Sequence, residues 1–150
     1  MDLNRRELIR FTALMGLMAS AGLISFAQAE EWNKAAFDAK NIEDVYRALR
    51  AGLPEKSSAI NLTAPDLSEN GALVPVTVTT DLKAQHIAIL VEKNPSALAG
   101  QFFLTPLSEP FVTTRIKMAQ TSNVYALVRV DSKWLVTSKE VKVTLSGCGS

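Results

Sequence analysis

Cysteine and histidine are almost absent from this 150-residue sequence, which contains one of each, Cys148 and His86. Zinc sites and iron–sulfur clusters need several such ligands at close spacing, so we expect neither a metal centre nor a bound cofactor. An internal disulfide is excluded by the same count. Basic clusters are also lacking, since 16 lysines and arginines stand against 15 acidic residues. Nucleic acid and anionic membranes are therefore not expected as partners.

No hydrophobic run is long enough to span a bilayer. The run at residues 12–26 has 15 residues, fewer than the ~20 that a transmembrane helix needs. The run follows a charged segment that contains Arg5 and Arg6, and it ends before the small-x-small cleavage site Ala27-Gln28-Ala29. A charged segment, an apolar run and a cleavage site are the three parts of an export signal. The paired arginines favour the twin-arginine route over the general secretory route. We predict a removed signal at residues 1–29 and a periplasmic protein with no membrane anchor.

The rest of the chain has the composition of one globular domain, which we place at residues 30–145. One helix is expected at about 41–51, with Asn41 as its N-cap and Pro54 beyond its end. Apolar residues recur there at the spacing of a single buried helix face: Ile42, Val45, Tyr46 and Leu49.

From residue 57 onward, short apolar segments alternate with turn residues at a spacing of ~8–12 residues. This pattern is typical of a mainly β protein, and we predict an antiparallel β-sandwich of immunoglobulin type with the helix over one end or face. The expected strands lie at residues 59–63, 72–79, 86–92, 101–104, 112–118, 123–130, 134–137 and 140–145.

The final residues favour an exposed thiol. Cys148 has no bulky neighbour to pack against it, so a buried cysteine is the less favoured interpretation. Prenylation is excluded because that signal needs the cysteine fourth from the end, and this one is third. We predict a flexible arm at 146–150 that can extend the sulfur on the order of 10 Å from the folded domain. Beside Cys148 the arm contains Ser146, Gly147, Gly149 and Ser150.

Four segments of the chain resemble the SoxY family, the sulfur-carrier subunits of the bacterial thiosulfate-oxidising system. They read INLTAPDLSENGALVPVTV at 60–78, LVEKNP at 90–95, TRIKM at 114–118 and SKEVKVT at 138–144. The resemblance covers essentially all of the chain after the predicted signal. It implies an immunoglobulin-like periplasmic protein that catalyses no reaction itself.

The resemblance also implies a function and partners. The terminal cysteine, here Cys148, would hold the pathway's intermediates covalently. A second β-sandwich subunit, SoxZ, would pair with the chain. A c-type cytochrome enzyme would couple thiosulfate to the cysteine, a manganese-dependent hydrolase would release sulfate, and a molybdenum-haem enzyme would oxidise the remaining sulfur. The family's tail is usually Gly-Gly-Cys-Gly-Gly, so Ser146 and Ser150 depart from it and make a slightly stiffer arm.

Two other functions are compatible with the same residues. An exported chain with one cysteine can be an interaction domain that forms an intermolecular disulfide. An enzyme could instead use Cys148 as nucleophile with His86 as base, although a histidine at the start of an apolar strand more commonly has a structural role. No lysine or histidine lies within the arm, and Lys142 is the nearest cation in sequence. Activation of the thiol is therefore expected to come from a visiting enzyme.

Overall fold

The computed structural model describes residues 34–144. The predicted signal, with Arg5 and Arg6, and the predicted arm, with Cys148, lie outside the described residues. Apart from Lys34, every described residue belongs to one compact unit. No helix within the described range is both long and apolar enough to cross a membrane.

Most of the described chain forms two β-sheets. The larger sheet has six strands: β1 (Glu55–Lys56), β3 (Leu67–Ser68), β5 (His86–Val91), β6 (Leu98–Phe103), β8 (Ser122–Val130) and β9 (Lys133–Val143). Their order is β1-β9-β8-β5-β6, and β3 pairs with β9 away from that path. Neighbouring strands are antiparallel, except that the two-residue strands β1 and β3 both run parallel to β9.

The smaller sheet is antiparallel and has the order β2-β4-β7. Its strands are β2 (Ile60–Thr63), β4 (Val74–Thr80) and β7 (Phe111–Ile116). In β4, Val74, Val76 and Val78 are buried and alternate with more exposed residues, as a half-buried strand requires. These valines pack with residues from the larger sheet in one core between the two sheets. The mainly β sandwich predicted from the sequence is confirmed.

A second core lies on the outer face of the larger sheet. Strand β5 is buried along its whole length, because its residues alternate between the two cores. Ile87, Ile89 and Val91 face the inter-sheet core, whereas Ala88 and Leu90 pack with residues of the helical region. Burying an aliphatic side chain of this size stabilises a fold by about 1.5–3 kcal/mol. The helical region therefore protects the sheet face that would otherwise meet water.

The helical region consists of residues 34–38 and helix α1 (Ile42–Ala48). Asn41 is the N-cap of α1, and its side chain accepts a hydrogen bond of 2.8 Å from the backbone N–H of Asp44. The helix ends before residue 51, where the prediction placed its end. Leu49 is the C-cap, and Arg50 and Gly52 have φ of 54° and 61°, which a helix cannot contain.

Two strand features differ from the sequence pattern. Strand β9 is continuous through Ser138, where we expected a break, because Ser138 pairs with Tyr125 on β8. Pro75 indicates an edge strand or a bulge, yet β4 is the central strand of its sheet. Since β2 pairs only with Thr77–Thr80, Pro75 has a neighbouring strand on the β7 side alone. The backbone N–H of Thr80 points to the β7 side, where it donates to the carbonyl of Pro110. By alternation along the strand the N atom of Pro75 faces the open side, so its missing N–H costs no ladder hydrogen bond.

Candidate functional site

Cys148 lies four residues beyond Thr144, the last described residue. The site is therefore built from the residues that hold the chain just before the arm. We call residues 141–144, the end of β9 and the residue that follows it, the arm root. Val141 and Val143 are buried in the inter-sheet core, and Lys142 between them is exposed. This alternation agrees with the sequence pattern and anchors one face of the last strand.

Strand β3 holds one edge of the arm root. It runs parallel to β9, with Leu67 beside Lys142 and Ser68 beside Val143. The backbone N–H of Lys142 donates to the carbonyl of Asp66 at 3.0 Å, and that of Thr144 donates to the carbonyl of Ser68 at 3.1 Å. The chain is thus hydrogen-bonded up to the final described residue, which gives the arm a fixed starting point.

Thr121 holds the opposite edge of the arm root. Strand β8 begins at Ser122, opposite Val141, so β9 extends past its end. There the Thr121 hydroxyl accepts from the backbone N–H of Val143 at 2.9 Å and donates to the carbonyl of Val143 at 3.4 Å. Strand β8 has no residue opposite Val143, so the Thr121 side chain supplies the hydrogen-bond partner that a paired strand would otherwise provide.

Gly71 lies directly over the arm root. Its carbonyl accepts from the backbone N–H of Met118 at 2.7 Å. A Cβ at this position would overlap the Met118 carbonyl oxygen and would lie 3.0 Å from Cγ1 of Val143. Only glycine therefore allows segment 66–73 to approach the end of β9 this closely.

The charged side chains beside the arm root include those of Asp66, Lys139 and Lys142. Lys139 forms an ion pair of 2.9 Å with Asp66 and also donates to the carbonyl of Ala64. The hydrogen bond from Lys139 lowers the pKa of the Asp66 carboxyl, and the charges of Lys139 and Lys142 lower it further. No group of three or more metal-ligating side chains occurs within residues 34–144. The described residues of this site form hydrogen bonds with the backbone at the end of β9 and fix its position.

His86 lies far from the arm root. His86 pairs with Arg129 on β8, and Arg129 pairs with Trp134 on β9, so the three residues lie in one row across the larger sheet. Strand β9 ends at Val143, nine residues after Trp134. The row is therefore about 30 Å from the end of β9, measured along the strand. The four residues from Thr144 to Cys148 span at most ~14 Å. Cys148 therefore cannot contact the histidine of its own chain.

The environment of His86 is that of a structural residue. Its ring stacks on Phe103 with centroids 4.3 Å apart and meets Trp134 edge-on at 5.1 Å. Burial lowers the pKa of His86 to about 4, and the charge of Arg129 lowers it too, although a hydrogen bond with Gln101 opposes the shift. The imidazole is neutral at neutral pH and packed between aromatic rings, as the structural interpretation of its sequence position predicts.

The sequence did not predict that Gly71, Thr121 and β3 contact the end of β9. The Asn70-Gly71 pair is a turn signal, and it indicated only a turn before β4. In a sequence, a glycine that is required by close contact with a distant strand cannot be distinguished from a glycine that is required by a turn. Strand β3 has two residues, too few for any periodicity to appear.

Comparisons with known proteins place this geometry in context. The model of the family described as sulfur oxidation protein SoxY matches residues 46–148, a range that ends at Cys148. The structure of the sulfur carrier protein SoxY from Chlorobium limicola f thiosulfatophilum is 38% identical, with a TM-score of 0.63, and the match covers 75% of this chain and 99% of that one.

A more distant similarity shows the fold alone. Superoxide reductase (neelaredoxin) from Ignicoccus hospitalis is 18% identical with a TM-score of 0.52, over 57% of this chain and 80% of that one. No curated protein matches the chain at a significant level.

Proposed function

Because the chain belongs to the SoxY family of sulfur oxidation proteins, we propose that it is an exported carrier that holds thiosulfate-derived sulfur covalently on Cys148. One observation supports this most strongly: the family match continues beyond the described residues and ends at the cysteine. The arm root adds a physical reason. A terminal thiol that must be handed to other proteins needs a firm base, and hydrogen bonds hold both edges of β9 up to its end.

The chemistry requires a partner that accepts electrons. The Cys148 thiol and thiosulfate join through a new S–S bond, and the reaction releases one proton and two electrons to a c-type cytochrome enzyme. The product is the S-thiosulfonate, Cys–S–S–SO₃⁻. Addition of water at the terminal sulfur breaks the S–SO₃ bond, which releases sulfate and two protons and leaves the persulfide, Cys–S–S⁻.

The carrier supplies the nucleophile and leaves catalysis to its partners. A free thiol has a pKa near 8.5, so only a few per cent of it is ionised at neutral pH. His86, the one histidine of the chain, lies beyond the reach of Cys148. A visiting enzyme would therefore have to activate the sulfur within its own active site.

We also propose an export route, a second subunit and a set of visiting enzymes. The paired arginines Arg5 and Arg6 ahead of an apolar run support export by the twin-arginine route to the periplasm. The family relationship supports a complex with a SoxZ-like β-sandwich subunit. The visiting enzymes would be the c-type cytochrome enzyme, a manganese-dependent sulfate-releasing hydrolase and a molybdenum-haem enzyme that oxidises the remaining sulfur.

Electron transfer tests the proposal. Purified carrier complex, thiosulfate and the c-type cytochrome enzyme are mixed without oxygen, and haem reduction is followed by absorbance. The wild-type carrier should support thiosulfate-dependent reduction in proportion to its amount, because each thiol delivers two electrons. Cys148→Ser should lower it to the level without carrier, while Ser146→Gly retains it. Equal reduction with Cys148→Ser would refute a covalent role of the cysteine.

A further inference from the structure

Two large apolar side chains are exposed beside the arm root. Leu67 is 54% exposed and Leu73 is 55% exposed. Leu67 is the register partner of Lys142, and Leu73 is two residues from Gly71, which packs against Val143. Both leucines therefore lie within roughly 10 Å of the point where β9 ends. An exposed leucine alone needs no explanation, but this pair surrounds the arm's starting point.

The segment that presents these leucines is held by its own hydrogen bonds. The Ser68 hydroxyl donates to the carbonyl of Asn70 at 3.0 Å, and the Asn70 side chain accepts from the backbone N–H of Ala72 at 3.0 Å. Gly71 fixes the same segment onto Met118. A surface that is already ordered loses little conformational entropy on binding.

The length of the arm determines how close an enzyme must come. Four residues separate Thr144 from Cys148, so the cysteine extends at most ~14 Å from the end of the described strand. An interface of standard size covers about 800 Å² of each partner, which corresponds to a circle with a radius of about 16 Å. An interface of that size centred on the end of β9 would include Leu67 and Leu73, which lie within roughly 10 Å of it.

A second group of exposed apolar side chains lies outside that footprint. Phe103, Leu107 and Phe111 are 66%, 97% and 56% exposed. Phe103 pairs with His86, and Phe111 pairs with Thr79, at the end of the sandwich opposite the arm root. That end is about 30 Å from Val143 along β9. A permanent partner could occupy it without obstructing the arm.

We propose that Leu67 and Leu73 form the apolar centre of the docking surface for an enzyme that processes the arm, and that this enzyme has an apolar rim around its active-site entrance. This inference rests on the proposed carrier function. Three exposed charged residues neighbour Leu67 in sequence or in strand register, as in the polar rim of a transient interface: Asp66, Glu69 and Lys142.

Steady-state kinetics with a sulfate-releasing hydrolase of this pathway tests the proposal. The carrier complex is loaded with tetrathionate. The Cys148 thiol takes the –S–SO₃⁻ group from tetrathionate to give Cys–S–S–SO₃⁻, and thiosulfate and one proton are released. In the Leu67→Ser, Leu73→Ser double variant the KM for loaded carrier should rise roughly ten-fold, with kcat within about two-fold of wild type. Docking is weakened while the reacting sulfur is unchanged.

The matched control is Leu107→Ser, which removes one exposed leucine at the opposite end and should leave KM unchanged. Reaction of Cys148 with a small disulfide reagent should be equally fast in all three proteins, because that reaction needs no docking. An unchanged KM in the double variant would overturn the docking surface. So would an equal rise with Leu107→Ser, or loss of the second β-sandwich subunit from the double variant. Wild-type carrier that releases no sulfate would instead overturn the carrier function, and this inference with it.

Discussion

At the scale of single residues, the strand register keeps the one histidine away from the end of β9. His86 is buried between Phe103 and Trp134, and the strand register separates it from the end of β9 by about 30 Å. An enzyme of the cysteine–histidine type needs the two side chains within hydrogen-bond reach. His86 therefore does not fit the role of base for Cys148, and we expect the partner enzyme to activate the thiol.

Replacing His86 by Gln tests this separation. The rate at which Cys148 reacts with a small disulfide reagent should remain within about two-fold of wild type across pH 6–9, since no base is lost. A stopped-flow absorbance assay measures that rate. A drop of ten-fold or more would show that the histidine activates the thiol, contrary to the register.

The same substitution should change the pH dependence of stability. Burial lowers the pKa of His86 from 6.5 to about 4 in the folded protein. Between these values the unfolded chain binds a proton that the folded chain does not, so wild type loses stability as pH falls from 6.5 to 4. Glutamine has no such proton. The advantage of wild type over His86→Gln at pH 7, measured by thermal unfolding, should therefore shrink toward pH 4, and a constant difference would contradict the assignment.

At the scale of elements, β9 connects the core to the arm. The sequence predicted its alternation at Val141 and Val143, because period-2 burial is local information. It also predicted a break near Ser138, since a serine between apolar segments is a turn signal. The break is absent because β8 supplies hydrogen-bond partners on the other strand. Tertiary pairing thus overrode a local preference.

Gly71→Ala should loosen the arm root. The added Cβ overlaps the Met118 carbonyl oxygen, so either segment 66–73 or residue 118 must move, at a cost of about 1–3 kcal/mol. Urea unfolding measures that loss, and hydrogen exchange should show faster exchange at the amides of Lys142 and Thr144.

Gly100→Ala is the matched control for that change. Its Cβ would meet nothing closer than the Phe102 ring at 3.5 Å, so its stability should stay within about 0.5 kcal/mol of wild type. Equal losses in the two variants would mean that the close contact at Gly71 does not hold the arm root.

At the scale of the whole molecule, two hydrophobic cores lie on opposite faces of the larger sheet. The β content and the layered fold were predictable, because strands repeated at regular spacing need no knowledge of their partners. The outer core that the helical region forms with Leu90 and Leu127 was only partly predictable. A continuous apolar strand such as β5 shows that both faces are buried, but not which element covers each. Neither Thr121 nor β3 could be placed at the arm root, since their contacts join distant parts of the sequence.

Oxidation tests how the thiol relates to the folded body. Treatment with an oxidant should give a covalent dimer on non-reducing gels that dithiothreitol fully reverses, because a chain with one cysteine can form a disulfide only with another molecule. The melting temperature of the dimer should match that of the reduced protein, since the cross-link lies beyond the end of β9. A dimer already complete in fresh protein and required for folding would favour the interaction-domain alternative.

The central claim concerns the sulfur on Cys148, and intact mass spectrometry tests it most directly. Protein purified without reductant from cells grown on thiosulfate should contain a fraction heavier by one thiosulfate unit or by added sulfur atoms. The added mass should map to the C-terminal peptide and disappear on reduction. If those cells yield only the unmodified thiol or a glutathione adduct, the chain is not a covalent sulfur carrier.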